Sequence, residues 1–106
     1  MPIQSFLKEV KHLSKKHVSL KDDLRDLGIE LATNPKLGQP IGRNCYKVRL
    51  QITSKGKGKS GGARVITHLL VTMEEETLYL LKIYDKSVAN TISDAELTYL
   101  LASINA

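Results

Sequence analysis

The sequence predicts an α+β domain with two amino-terminal helices, a small mainly antiparallel β-sheet and a short carboxy-terminal helix. Three observations carry that prediction. Leu20, Leu24, Leu27 and Leu31 recur at helical spacing. Around residue 45 the period changes, and Tyr46, Val48, Leu50 and Ile52 alternate with Lys47, Arg49, Gln51 and Thr53 as in a half-buried strand. Near the end, Ser93-Asp94-Ala95-Glu96 has capping-box spacing ahead of Leu97, Leu100, Leu101 and Ile104. The 106 residues read as one domain, residues 1–106, with a real but small core.

The elements follow in order. Ser5 precedes Phe6, Leu7, Val10 and Leu13, an apolar stripe whose other side carries Lys8, Lys11 and Lys15. Ser19 is expected to cap a second helix, with Asp22 and Asp23 in its first turn, where the helix dipole favours acids. Gly28 weakens that helix by about 1 kcal/mol relative to alanine, and Asn34-Pro35 ends it. After the first strand a Gly/Lys loop runs from Ser54 to Gly62. A second strand, Ala63 to Thr72, is rich in β-branched and aliphatic residues, and a third, Leu78 to Tyr84, is close enough to pair with it as a hairpin. Glu74, Glu75 and Glu76 make the charged turn between them. All helices are expected on one face of the sheet.

Composition excludes several classes. No stretch of 18 apolar residues exists to span a membrane. The first ten residues lack the tripartite pattern of a secretory signal, and a single cysteine, Cys45, cannot form an internal disulfide or a Cys-rich zinc site. The expected compartment is the reducing cytoplasm. No His-x-x-His, cysteine cluster or carboxylate group at metal spacing appears, so no metal or other cofactor is assigned. His12 and His17 read as surface residues among lysines, and Cys45 as a small packed residue rather than a nucleophile.

Charge is more telling. The net charge is +5, and its distribution is uneven. Residues 31–73 hold eight Lys/Arg and no acid, whereas residues 1–30 are nearly balanced at +1 and residues 74–106 carry −4. A stretch of one sign suggests a polyanionic partner, nucleic acid first. The plainer alternative is a basic sheet edge that discourages aggregation.

The loop Gly56-Lys57-Gly58-Lys59-Ser60-Gly61-Gly62 invites misreading. It matches G-x-G-x-x-G, but a dinucleotide fingerprint requires a helix next, and Arg64-Val65-Ile66-Thr67 reads as strand. A P-loop requires glycine where Thr53 stands. The remaining readings are a plain flexible connection, or a grip on a phosphate chain in which glycine permits close approach and Lys55, Lys57 and Lys59 neutralise charge.

Strand parity sharpens the second reading. If the helices cover a Val48/Val65/Leu81 face, then Lys47, Arg49, Arg64, His68, Lys82 and Tyr84 converge on the open face. Cross-strand neighbours lie about 5 Å apart, so crowded cations cost stability unless a polyanion relieves them. Taken singly, each is an ordinary solvent-facing position.

These residues resemble a known family. Lys47-Val48-Arg49, the run from Ser54 through Gly61-Gly62-Ala63-Arg64-Val65-Ile66, Tyr79 to Lys86, Ile92-Ser93 and Asn34-Pro35-Lys36-Leu37-Gly38 are similar to the RelE branch of the RelE/ParE toxin superfamily, and closer to its HigB-like members. The resemblance spans nearly the whole chain. It implies a bacterial toxin of a type II toxin–antitoxin module that cleaves messenger RNA in the ribosomal A site, is held inactive by a cognate antitoxin (a small helix-turn-helix protein is expected), and often carries an extra short strand. By motif, Lys47, Arg49 and Arg64 fall on the family's basic positions, and Lys82, Tyr84 and Lys86 on further catalytic or RNA-gripping ones. Thr67-His68 stands where the family often has tyrosine, Ser87 where asparagine often follows the lysine, and Ile92 near another tyrosine position.

The mechanism expected is attack of a ribose 2′-hydroxyl on the adjacent phosphate. The protein must orient the chain, take the proton, stabilise the phosphorane and protonate the leaving oxygen. Arg49 and Arg64 suit the phosphate oxygens. Lys47 or Lys82 could act as base if neighbouring cations lowered its pKa, Tyr84 could stack on a base or donate a proton, and His68 is an outside acid–base candidate. Two competing readings are a ParE-type gyrase inhibitor and a non-catalytic RNA-binding module.

Overall fold

The computed structural model describes residues 1–56, 58–89 and 91–104. Helices α1 (Gln4–Ser14) and α2 (Leu20–Thr33) precede strands β1 (Gln39–Gly42), β2 (Cys45–Leu50), β3 (Ala63–Val71) and β4 (Glu76–Asp85), and α3 (Asp94–Ile104) closes the order. The four strands form one antiparallel sheet in the order β1-β2-β3-β4. The α+β class and the placement of the helices in sequence are as the periodicity predicts. No helix among the described residues is long and apolar enough to cross a membrane.

Along with the single 3-10 turn Thr53–Lys55 after β2, sequence reasoning missed strand β1. It is only four residues long and pairs with β2 through a two-residue tip, Arg43-Asn44, both at φ 56°. Positive φ at both positions is the requirement of a type I′ hairpin turn, and asparagine tolerates it better than most residues. Arg43 then reaches α3, donating to Thr98 Oγ1 at 2.6 Å and to Asp94 Oδ1 at 3.1 Å. Pro40 is tolerable because β1 is an edge strand.

Helices cover both faces of the sheet, not one. Phe6, Leu20, Leu27 and Leu31 pack on Val48, Leu50, Val65 and Ile83, forming the larger core under α1 and α2. On the opposite face α3 sets Leu97 and Leu100 against Cys45, Ile66, Leu81 and Tyr84. Leu81 is therefore not on the Val48/Val65 side. The reason is a bulge: Ile66 pairs with Lys82 but Thr67 pairs with Leu80, so Leu81 is an extra residue that reverses the facing of β4.

Capping differs in detail from expectation. Helix α1 begins at Gln4, so Ser5 lies inside it rather than ahead of it. Ser19 stands at the N-cap of α2, but its hydroxyl donates to Asp23 Oδ2 at 2.7 Å instead of capping the backbone. Ser93 does accept from the Glu96 amide at 3.1 Å, while the Glu96 carboxylate turns away to Lys82, leaving half a capping box.

Candidate functional site

Strand β1 pairs with β2 only as far as Lys47. Beyond it, residues Val48 to Leu50 have no outer strand neighbour among the described residues, and a cleft of about 640 Å³ opens there. Its basic lining is Lys47 and Arg49 from β2, Lys59 from the loop, Arg64 from β3 and Lys86 just past β4. The opposing wall is Glu30 near the end of α2 and the segment Leu37-Gly38-Gln39 leading into β1.

Two glycines set this geometry. A Cβ on Gly62 would fall 2.1 Å from the Leu50 carbonyl oxygen, so the loop can close on the end of β2 only without a side chain. The Gly62 carbonyl also accepts from the Lys86 amide at 3.0 Å, which places Lys86 at the cleft. Gly38 has φ +102°, and a Cβ there would lie 2.6 Å from the Lys47 carbonyl oxygen. The wall formed by 37–39 thus sits directly against β2.

Arg49 and Arg64 are paired across β2 and β3, and Arg64 is in turn opposite Tyr84 on β4. Arg64 is 5% exposed, far more buried than a solvent-facing strand cation. Its guanidinium donates to the carbonyls of Lys59 at 3.0 Å, Ala63 at 3.0 Å and Ser60 at 3.3 Å. It therefore organises the loop that supplies Lys59, and truncating it would disturb structure as well as charge. Among the described residues, no carboxylate lies within ion-pair distance of Lys47, Arg49, Lys59, Arg64 or Lys86. A concave surface whose five cations outnumber its one carboxylate, Glu30, and make no ion pair among the described residues favours an external polyanion.

The other predicted site residues are elsewhere. Lys82 reaches over the β4 edge to Glu96 Oε2 at 2.7 Å and Glu9 Oε2 at 3.3 Å. Burial alone would lower its pKa, but those carboxylates outweigh burial and hold it above the usual lysine value, the reverse of what a base requires. Tyr84 is buried beneath α3, and burial raises its pKa against the lowering influence of Arg64 and Lys82, so it presents no ring for stacking. The open face inferred from parity is closed here by α3.

Lys55 is not a free RNA grip. Its ammonium donates to Asp85 Oδ1 at 2.9 Å, and both side chains are largely buried. Asp85 also accepts from the Ser87 amide and hydroxyl and lies 3.2 Å from His17 Nε2, so His17 is a tether rather than a surface residue. His68 stacks with Tyr79 and lies 3.4 Å from Cys45 Sγ, in a separate small hollow with Leu70 and Leu101. Burial pushes the Cys45 thiol up to about 11, which makes it inert as a nucleophile. Lys57 lies outside the described residues.

Thus Lys47, Arg49, Lys59, Arg64 and Lys86 meet in one place, while Lys55, His68, Lys82 and Tyr84 do not. Sequence reasoning missed Glu30 and the wall at 37–39. Glu30 carries a faint signal, being an acid in the last turn of a helix, where the dipole disfavours one. No protein-family model matches the chain.

Proposed function

We propose that the chain binds single-stranded RNA in the basic cleft and acts as a ribosome-dependent endoribonuclease, the toxin of a type II toxin–antitoxin module in the cytoplasm. The observation that carries this reading is the meeting of five cations from β2, the loop, β3 and the exit of β4, none of them ion-paired among the described residues. The resemblance of Lys47-Val48-Arg49 and Gly61-Gly62-Ala63-Arg64-Val65-Ile66 to RelE-type toxins, which includes three of those cations, supports it as well.

In this reading Arg49 makes the direct contact with phosphate oxygens, and Arg64 supports it from below while fixing the loop. Lys47 and Lys86 line the same cleft and neutralise the chain or the developing phosphorane. The cognate antitoxin would cover the cleft with an acidic segment.

Primer extension on messenger RNA after induction tests the proposal. Codon-phased cuts with the wild type that vanish with Arg49→Glu support it. DNA damage without cuts would replace it with gyrase poisoning. A second reading, a non-catalytic RNA-binding module, is favoured by the removal of Lys82, His68 and Tyr84 from the cleft. RNA binding without cuts at any stage would select it.

A further inference from the structure

Glu30 is the only carboxylate lining the basic cleft among its described residues. Its position is unfavourable on its own terms. It lies in the last turn of α2, where its carbonyl accepts from the Asn34 amide at 2.9 Å, and the partial negative charge of a helix end repels a carboxylate there. No Lys or Arg in that turn offsets the repulsion, and no ion pair holds Glu30 among the described residues. Leu27 and Leu31, buried on either side in sequence, anchor the helix, so this acid is carried on a rigid element.

A second hollow of about 200 Å³ adjoins the first, and Glu30, Arg49 and Lys59 line both. Beyond Glu30 that hollow turns acidic, with Asp23 and Asp26 in its lining. A bound strand must therefore keep its phosphates on the Lys47/Arg49/Lys59 side. What faces Glu30 is then a sugar or base edge, and the group there that rewards a carboxylate is a hydrogen-bond donor. The ribose 2′-hydroxyl is a donor that DNA lacks.

We infer that Glu30 accepts a hydrogen bond from the ribose 2′-hydroxyl of the bound strand and makes the cleft selective for RNA over DNA. This rests on the reading of the cleft as a nucleic-acid site and deepens it. The carboxylate repels the phosphates of RNA and DNA alike, and the 2′-hydroxyl, which only RNA carries, returns that cost through a charge-assisted hydrogen bond.

The test measures binding of three single-stranded oligonucleotides of one sequence, RNA, DNA and 2′-O-methyl RNA, to the full chain, each checked intact afterwards. Wild type should prefer RNA over both others by roughly tenfold or more. Glu30→Gln, conservative on an exposed helical position, should reduce that ratio towards one by strengthening DNA binding more than RNA binding. Glu75→Gln in the β3–β4 turn makes the same change in net charge and should leave the ratio unchanged. Equal binding of all three by the wild type, or an equal gain for all three in Glu30→Gln, overturns the assignment while leaving the cleft a polyanion site. Failure of the wild type to bind any of the three overturns the nucleic-acid reading itself.

Discussion

Arg49 and Arg64 stand directly opposite each other on β2 and β3, two like charges with no carboxylate within ion-pair distance among the described residues. Directly opposed like charges are destabilising by about 0.2–1 kcal/mol. Arg49→Gln should therefore raise thermal stability slightly while weakening RNA binding. It should also lower the slope of log affinity against log salt by about one unit. Titrations at several salt concentrations, with melting curves of both proteins, check the pair of effects.

Arg64 is expected to behave differently, because its guanidinium holds the carbonyls of Lys59, Ser60 and Ala63. Arg64→Ala should cost about 2 kcal/mol and expose loop amides to hydrogen exchange. Arg64→Lys should restore little of this, since an ammonium lacks the planar fork that spans several carbonyls. Urea denaturation and exchange at residues 58–62 provide the readout.

Asp85 makes stability depend on acid. Burial alone would raise its pKa, but hydrogen bonds from Lys55 and Ser87 hold it far below the usual carboxylate range. In the unfolded chain it titrates near about 3.9. Its contribution is then fully present above that value and is lost as pH falls towards the folded value. Asp23, held below its usual value by Thr53 and Ser19 against the opposing effect of burial, adds in the same direction. Asp85→Asn should cost about 3 kcal/mol at neutral pH and flatten the decline of the urea midpoint below about pH 4.

Gly62 and Gly28 should respond to alanine with opposite signs. At Gly62 the new methyl would meet the Leu50 carbonyl at 2.1 Å, costing about 3 kcal/mol or the fold itself. At Gly28, helical with nothing within 4 Å, the same change should stabilise by about 1 kcal/mol. Equilibrium denaturation of both variants decides.

Lys82→Met should leave RNA binding within about twofold of wild type while loosening the link between α1 and α3 through Glu9 and Glu96. A large loss of binding without loss of stability would return Lys82 to the site.

Much of this was legible in the sequence, and the failures have identifiable causes. Periodicity located α1, α2, α3 and β2 because each has an apolar side, and β-branched and aliphatic composition located β3, which is buried on both faces. It passed over β1, whose four residues are almost all exposed and contain proline. Parity correctly grouped Lys47, Arg49, Arg64, Lys82 and Tyr84 on one face, since Arg64 pairs with both Arg49 and Tyr84 and Ile66 with both Lys47 and Lys82. Counting by twos on to Leu80 and Leu81 assumed an unbroken β4, and one inserted residue put Leu81 rather than Leu80 on the Tyr84 face. Lys55 looked like its loop neighbours by composition, and only the fold brings Asp85 to it. The side on which α3 lies is a tertiary fact with no local signature.

The cleft has a floor of ladder-paired strand and walls that include irregular chain at Leu37-Gly38 and at the loop residue Lys59. Apart from glycines such as Gly38 and Gly62, whose positions admit no Cβ, irregular segments accept substitution and insertion far more readily than a paired strand does. Descendants of this sequence could therefore diversify what they discriminate by editing the walls alone, and inherit Arg49 and its cross-strand partner unchanged.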